Sequence, residues 1–131
     1  MRPEPVVMWN ELEPLRPTHA LVGGVDLVVV RWGDGENVSV LYGRCLHRGA
    51  LLGDGHIEGD NLVCGLHGWD YRYRSGVSEY HNDERLERFT AWVDDGAVCV
   101  DADEVEEWRL RNPQPYRRDE YRGPFQDPTG T

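Results

Sequence analysis

The 131-residue sequence predicts an all-β fold of antiparallel strands with one C-terminal helix. Two observations predict it. Apolar residues gather in short runs rich in β-branched types, such as Leu27-Val28-Val29-Val30 and Val38-Ser39-Val40-Leu41, and each run is bounded by glycine, aspartate or asparagine. A capped helical pattern stands out at one place, residues 101–111.

Taken in order, Val6-Val7-Met8-Trp9 is a β-type run, and Pro3 and Pro5 exclude a helix before it. Asn10 to Pro14 reads as a turn with a brief helical bend. Thr18 to Val22 alternates weakly, and Gly23-Gly24 reads as a hairpin turn. Leu27 to Trp32 is a short buried strand, Gly33 to Asn37 a turn, and Val38 to Tyr42 an alternating strand. Ala50-Leu51-Leu52 is short and apolar, and Gly53-Asp54-Gly55 turns the chain. His56-Ile57-Glu58 and Asn61-Leu62-Val63 form a hairpin about Gly59-Asp60. Trp69 to Tyr73 is a strand with Trp69, Tyr71 and Tyr73 on one face and Asp70 and Arg72 on the other. Gly76 to Tyr80 follows a turn at Arg74-Ser75, and His81 to Arg85 is a polar, exposed loop. Leu86 to Val93 and Ala97 to Val100 are two strands about the Asp94-Asp95-Gly96 turn.

The helix has Asp101 as N-cap, and Glu104 three residues later completes a capping-box pattern. Acidic residues sit early and Arg109 and Arg111 late, which complements the helix dipole. Ala102, Val105 and Trp108 form the stripe that docks on a sheet, and Pro113 ends the helix. Residues 1–111 therefore form one domain. Residues 112–131 hold four prolines and read as an extended tail or linker.

The chemistry lies between Cys45 and Trp69. The chain reads Cys45-Leu46-His47-Arg48-Gly49 and, after a connector, Cys64-Gly65-Leu66-His67-Gly68-Trp69. Each half offers one thiolate and one imidazole, the ligands of iron–sulfur clusters, zinc or copper. Two of each suit a binuclear iron–sulfur centre in which two histidines replace two cysteines on one iron, and they also suit a tetrahedral zinc site. Cys-x-His is tighter than the first ligand pair of a zinc finger, which favours the cluster. Gly49 and Gly68 permit close backbone approach and positive φ, so that N–H groups can face cluster sulfurs.

These two segments resemble the cluster-binding loops of the Rieske [2Fe-2S] family, over roughly residues 6 to 108. The resemblance implies three layered antiparallel sheets, with a small cluster-binding lobe at about residues 43–73 inserted in a larger base. It implies one Rieske-type [2Fe-2S] cluster per chain. Cys45 and Cys64 would hold the buried iron, and His47 and His67 the outer one. Arg48, Gly49, Leu66, Gly68, Trp69 and Tyr71 would surround it and tune its potential. Arg48 would pair with a carboxylate, dock a partner or remain a solvated charge. High-potential members carry a serine directly after the His-Gly pair and a tyrosine two residues further. Here those positions are Trp69 and Tyr71, which implies a potential in the lower part of the range of about −150 to +300 mV. Tyr71 also reads as a plain core aromatic. Members from quinol-oxidising complexes have an extra cysteine in each loop, joined as a disulfide. Here the loops hold Leu46 and Leu66, so the soluble branch of ferredoxins and ring oxygenases fits better.

Composition narrows the partners. The net charge of −10 argues against nucleic acid and anionic membranes. No apolar run approaches the length of a bilayer span, since Val25 to Val30 is short and Asp26 interrupts it. The first residues lack a signal-peptide core, and Cys99 is left over once Cys45 and Cys64 are assigned, so a reducing cytoplasm is expected. Cys99, in an apolar run, reads as an inert core thiol. His56 reads as a surface strand residue because the ligand set is already full.

The expected function is one-electron transfer to or from a partner oxidoreductase: a flavin reductase, a glutamate-synthase-like flavoenzyme or an oxygenase. The flavoenzyme enters through a narrower likeness, carried by residues 43–50, 69–80 and 112–116, to Rieske proteins associated with FMN-binding glutamate-synthase-like enzymes. The alternatives are the N-terminal module of a ring-hydroxylating oxygenase and a zinc-stabilised binding module without redox activity.

Overall fold

The computed structural model describes residues 1–46, 49–65, 70–78 and 84–112. The tail and the polar stretch at 79–83 lie outside them. The strands are β1 (Pro3–Met8), β2 (Thr18–Val22), β3 (Val25–Arg31), β4 (Val38–Tyr42), β5 (His56–Glu58), β6 (Asn61–Val63), β7 (Asp70–Arg72), β8 (Arg88–Phe89), β9 (Ala91–Asp94) and β10 (Ala97–Asp101). One helix, α1 (Ala102–Arg111), follows. Short 3-10 turns occupy Trp9–Glu11 and Leu52–Asp54. The strands form three antiparallel sheets ordered β1-β10-β9, β2-β3-β4-β8 and β5-β6-β7. The expected fold class is thus the observed one.

The four-stranded sheet organises the core. In β3 every residue from Val25 to Val30 is buried, because the strand is central and covered on both faces. The chain leaves this sheet after Tyr42 and rejoins it beside the strand it left. Val40 pairs with Phe89, Leu41 with Arg88, and the Tyr42 N–H donates to the Glu87 carbonyl. Everything between is an insertion, and β5-β6-β7 is its sheet.

Three details depart from the expected elements. The first strand begins at Pro3 rather than Val6. β1 is an edge strand paired only with β10, so its prolines remove no required donor, and the register shifts between Pro5 and Val7. The run Leu86 to Val93 is not one strand. It breaks at Thr90 into β8, in the four-stranded sheet, and β9, in the sheet of β1 and β10. Glu104 accounts for the break: its Oε1 accepts the Thr90 N–H at 2.7 Å and its Oε2 the Thr90 hydroxyl at 3.0 Å. Glu104 therefore serves a neighbouring strand rather than its own N-cap. The other half of the capping pattern holds, with Asp101 Oδ1 accepting the Asp103 N–H at 3.0 Å. The bond from the Arg2 N–H chiefly, with those from the helix N-terminus, holds the Asp101 carboxyl below the usual carboxylate range.

Ala102 and Val105 are buried under α1, and Trp108 packs on Tyr42 at 4.8 Å and edge-on to Phe89 at 5.6 Å between ring centroids. Among the described residues no helix is long and apolar enough to cross a membrane.

Candidate functional site

The first candidate loop springs from the end of β4. Gly43 donates its N–H to the Asp26 carbonyl at 2.8 Å and accepts from Leu52, which ties both stems of the loop to β3. Within the loop the Cys45 N–H donates to the Ala50 carbonyl and the Gly49 N–H to the Cys45 carbonyl, each at 2.8 Å. Gly49 stands at φ +71°, the left-handed backbone that glycine adopts without strain. The loop thus folds back over Cys45, whose side chain is buried.

A charged group locks this loop from beneath. Arg44 is buried, and its Nε and Nη2 lie 2.8 and 2.7 Å from Asp26 Oδ2. Its Nη1 donates to the Gly49 carbonyl at 2.8 Å. The other carboxylate oxygen, Asp26 Oδ1, lies 2.7 Å from His19 Nε2.

The second candidate loop leaves β6, whose Leu62 and Val63 are buried, and Cys64 is buried in turn. Cys45, Cys64, Ala50, Leu52 and Tyr71 belong to one continuous core. Neither cysteine forms a disulfide. Strand β7 brings Tyr71, fully buried, under the first loop. Its oxygen accepts the Leu46 N–H at 3.1 Å and lies 3.8 Å from Cys45 Sγ. Burial is the main influence on this phenol and raises its pKa, the Leu46 N–H opposes it, and nearby Cys45 adds to the rise. The group stays protonated at neutral pH. With its oxygen occupied by Leu46, its own hydrogen is available to sulfur.

Of the expected site residues, the structure brings Cys45, Gly49 and Tyr71 into one loop environment and buries Cys64 in the same core. His47, Arg48, Leu66, His67, Gly68 and Trp69 lie outside the described residues. Among the described residues no three His, Cys, Asp or Glu side chains converge on a metal position. His56 is exposed and sits 3.0 Å from Glu58, as a surface strand residue does. Cys99 is buried and its thiol is pushed up mainly by burial, which keeps it protonated and inert. Of the short apolar run 50–52, Ala50 and Leu52 are buried in the same core and Leu51 is half-buried.

Neither Asp26 nor Arg44 is among the site residues that the sequence suggests. A signal existed, because an aspartate inside a buried β-branched run requires a partner.

The donor set fits an iron–sulfur group. Two buried thiols share one core, and if deprotonated there they would need a metal's positive charge beside them. One of them also has a phenol O–H within the longer reach of a sulfur acceptor.

Comparison with known proteins agrees with this chemistry. Residues 3–90 match the family described as Rieske [2Fe-2S] domain. The chain is 33% identical over 74 residues to 4beta-methylsterol monooxygenase of Methylococcus capsulatus, covering 56% of this chain and 20% of that one. It is 43% identical over 54 residues to phenoxybenzoate dioxygenase subunit alpha of Ectopseudomonas oleovorans, covering 41% and 13%. The chain thus spans a fifth or less of these relatives. Among solved structures it resembles the ferredoxin of carbazole 1,9a-dioxygenase from Nocardioides aromaticivorans IC177, with a TM-score of 0.68 and 25% identity, over 76% of this chain and 97% of that one. A protein described as a nitrite reductase NADPH (small subunit) oxidoreductase shares the fold at 18% identity and a TM-score of 0.65, over 76% and 98%.

Proposed function

This chain belongs to the Rieske [2Fe-2S] domain family, whose group is one Rieske-type cluster per chain, and from that premise we propose that it is a ferredoxin-like one-electron carrier for a partner oxidoreductase. A bound cluster of this type takes up and releases one electron at a time. The observation that carries the reading is the likeness to the carbazole dioxygenase ferredoxin, nearly all of which is covered by this chain, whereas oxygenase relatives are covered only in small part.

Cys45 and Cys64 would hold the inner iron, and His47 and His67 the outer one. Burial of Cys45, Cys64, Ala50 and Leu52 keeps water from the thiolate side. Gly49 and the Arg44 guanidinium hold the first loop closed. Arg48, Leu66, Gly68 and Trp69 would complete the surroundings, and residues 112–131 would serve as an extended tail or linker beyond the domain of residues 1–111. The partner is an oxygenase, a flavin reductase or a glutamate-synthase-like flavoenzyme, met in the cytoplasm. The two oxygenase relatives favour a second reading, in which the same unit is the Rieske module of an oxygenase.

Anaerobically purified full-length chain is expected to be coloured, to contain about two iron atoms and two acid-labile sulfides, and to give a rhombic EPR signal on reduction. A colourless, sulfide-free zinc protein would end the reading. What co-purifies then separates the partners: a separate oxygenase or flavoprotein supports the carrier, and a mononuclear-iron domain on the same polypeptide supports the oxygenase module.

Tyr71→Phe tests the tuning role. Loss of the O–H near Cys45 Sγ leaves the reduced centre less stabilised. A hydrogen bond worth about 0.5–1.5 kcal/mol corresponds to a fall of about 20–60 mV for one electron. Spectroelectrochemical titration of both proteins reads it, and an unchanged potential leaves Tyr71 as a core aromatic only.

A further inference from the structure

Asp26 is a charged residue inside an otherwise apolar central strand, and both it and Arg44 are only 2–3% exposed. Burying an ion pair costs desolvation, so a buried pair is weak evidence for stability alone. What distinguishes this one is where it leads. The carboxylate takes Arg44 through Nε and Nη2 on one oxygen and His19 on the other. The guanidinium plane is thereby fixed, and its remaining arm, Nη1, meets the carbonyl of Gly49. Gly49 closes the loop that starts at Cys45, through its own N–H to the Cys45 carbonyl. Asp26 thus reaches the first ligand loop through one side chain, across two elements of the base.

We propose that Asp26 is a positioning residue for the cluster: clamped by His19 and Arg44, it fixes the Arg44 fork that locks the Cys45–Gly49 loop, and its charge sets the local field in which the centre accepts an electron. Two consequences differ from those of a plain structural strut. Removing the anion while keeping the cation stabilises an added electron, so the potential rises. Removing the fork frees the Gly49 carbonyl, so the loop opens more often and the cluster is lost faster. A lysine at position 44 keeps the charge but has no planar fork to span Asp26 and Gly49 together.

The test uses the reconstituted full-length chain and three variants, Asp26→Asn, Arg44→Lys and the double Asp26→Asn/Arg44→Gln. Midpoint potential, EPR g-values and the half-life of the visible absorption under chelator are measured on each. Asp26→Asn is expected to shift the potential upward, change the g-values and shorten the half-life about tenfold or more. Arg44→Lys is expected to leave the potential near that of the parent and shorten the half-life. The double variant, which removes both buried charges, is expected to fold even where Asp26→Asn does not and to combine a near-parental potential with a short half-life. Parental potential and half-life in Asp26→Asn overturn the proposal. So does a parental half-life in the double variant. This role presupposes the cluster assigned above. A parent chain that takes up no cluster fails that assignment, whereas a loaded parent with indifferent variants fails only the role of Asp26.

Discussion

Cys64→Ala is expected to yield a folded, colourless protein. Cys64 is buried at the end of β6 in the same core as Cys45, so alanine fits the space and leaves only a small cavity, costing about 1 kcal/mol. The fold therefore survives. On the proposed ligation the inner iron, by contrast, would lose one of its two thiolates, and a Rieske centre held by three residues is not expected to be retained. Visible absorption, acid-labile sulfide and the reduced EPR signal should all vanish, while the far-UV circular dichroism of the β-sheets remains. Cys99→Ala supplies the control. It removes another buried thiol, from β10 and outside the proposed ligand set, and is expected to keep the full iron and sulfide content. If Cys64→Ala keeps its colour, the ligand assignment is wrong. If both variants lose it, the loss reflects core damage rather than ligation.

Gly55→Ala is expected to be the most damaging small-to-small change in the inserted lobe. Gly55 caps the 3-10 turn at Leu52–Asp54, with its N–H on the Leu52 carbonyl at 3.0 Å. Its φ of −85° suits any residue, so conformational freedom is not why glycine stands there. Space is the reason. A Cβ would lie inside the contact radius of the Val63 carbonyl oxygen and 3.3 Å from that of Leu52. Val63 precedes Cys64, and a Cβ on Gly65 would meet the Asp54 carbonyl at 3.2 Å, so the turn and the start of the second candidate loop are pressed together. Relief requires backbone of β6 to move, at about 3 kcal/mol or more. That amounts to a fall in melting temperature of about 10–15 °C, with faster cluster loss. Gly59→Ala gives the comparison. Nothing lies within 4 Å of its Cβ, and only its φ of +60° opposes alanine, at about 1 kcal/mol. Equal melting temperatures for the two variants would show that β6 yields readily at Val63.

The strands, the hairpins and the helix were legible in the sequence because their causes are local. β-branched runs, Gly23-Gly24 and Gly59-Asp60 turns, and the Asp101 cap act within a few residues of themselves. The candidate ligands were legible for the same reason: Cys-x-His and Cys-x-x-His are short spacings, and the chemistry of thiolate and imidazole is independent of the fold. What tertiary structure alone decided involves partners far apart along the chain. The break at Thr90 depends on a carboxylate fourteen residues away, which reaches the backbone N–H between two strands instead of its own helix. The start of β1 at Pro3 depends on that strand lying at an edge, which no proline announces. The phenol of Tyr71 faces Cys45 only because β7 returns beneath the first loop. Asp26 and Arg44 stand eighteen residues apart, and only the pairing of β3 with β4 brings the one under the other. Local propensity and metal-ligand chemistry can be read one segment at a time. A buried charge acquires its meaning from whichever partner the folded chain sets against it.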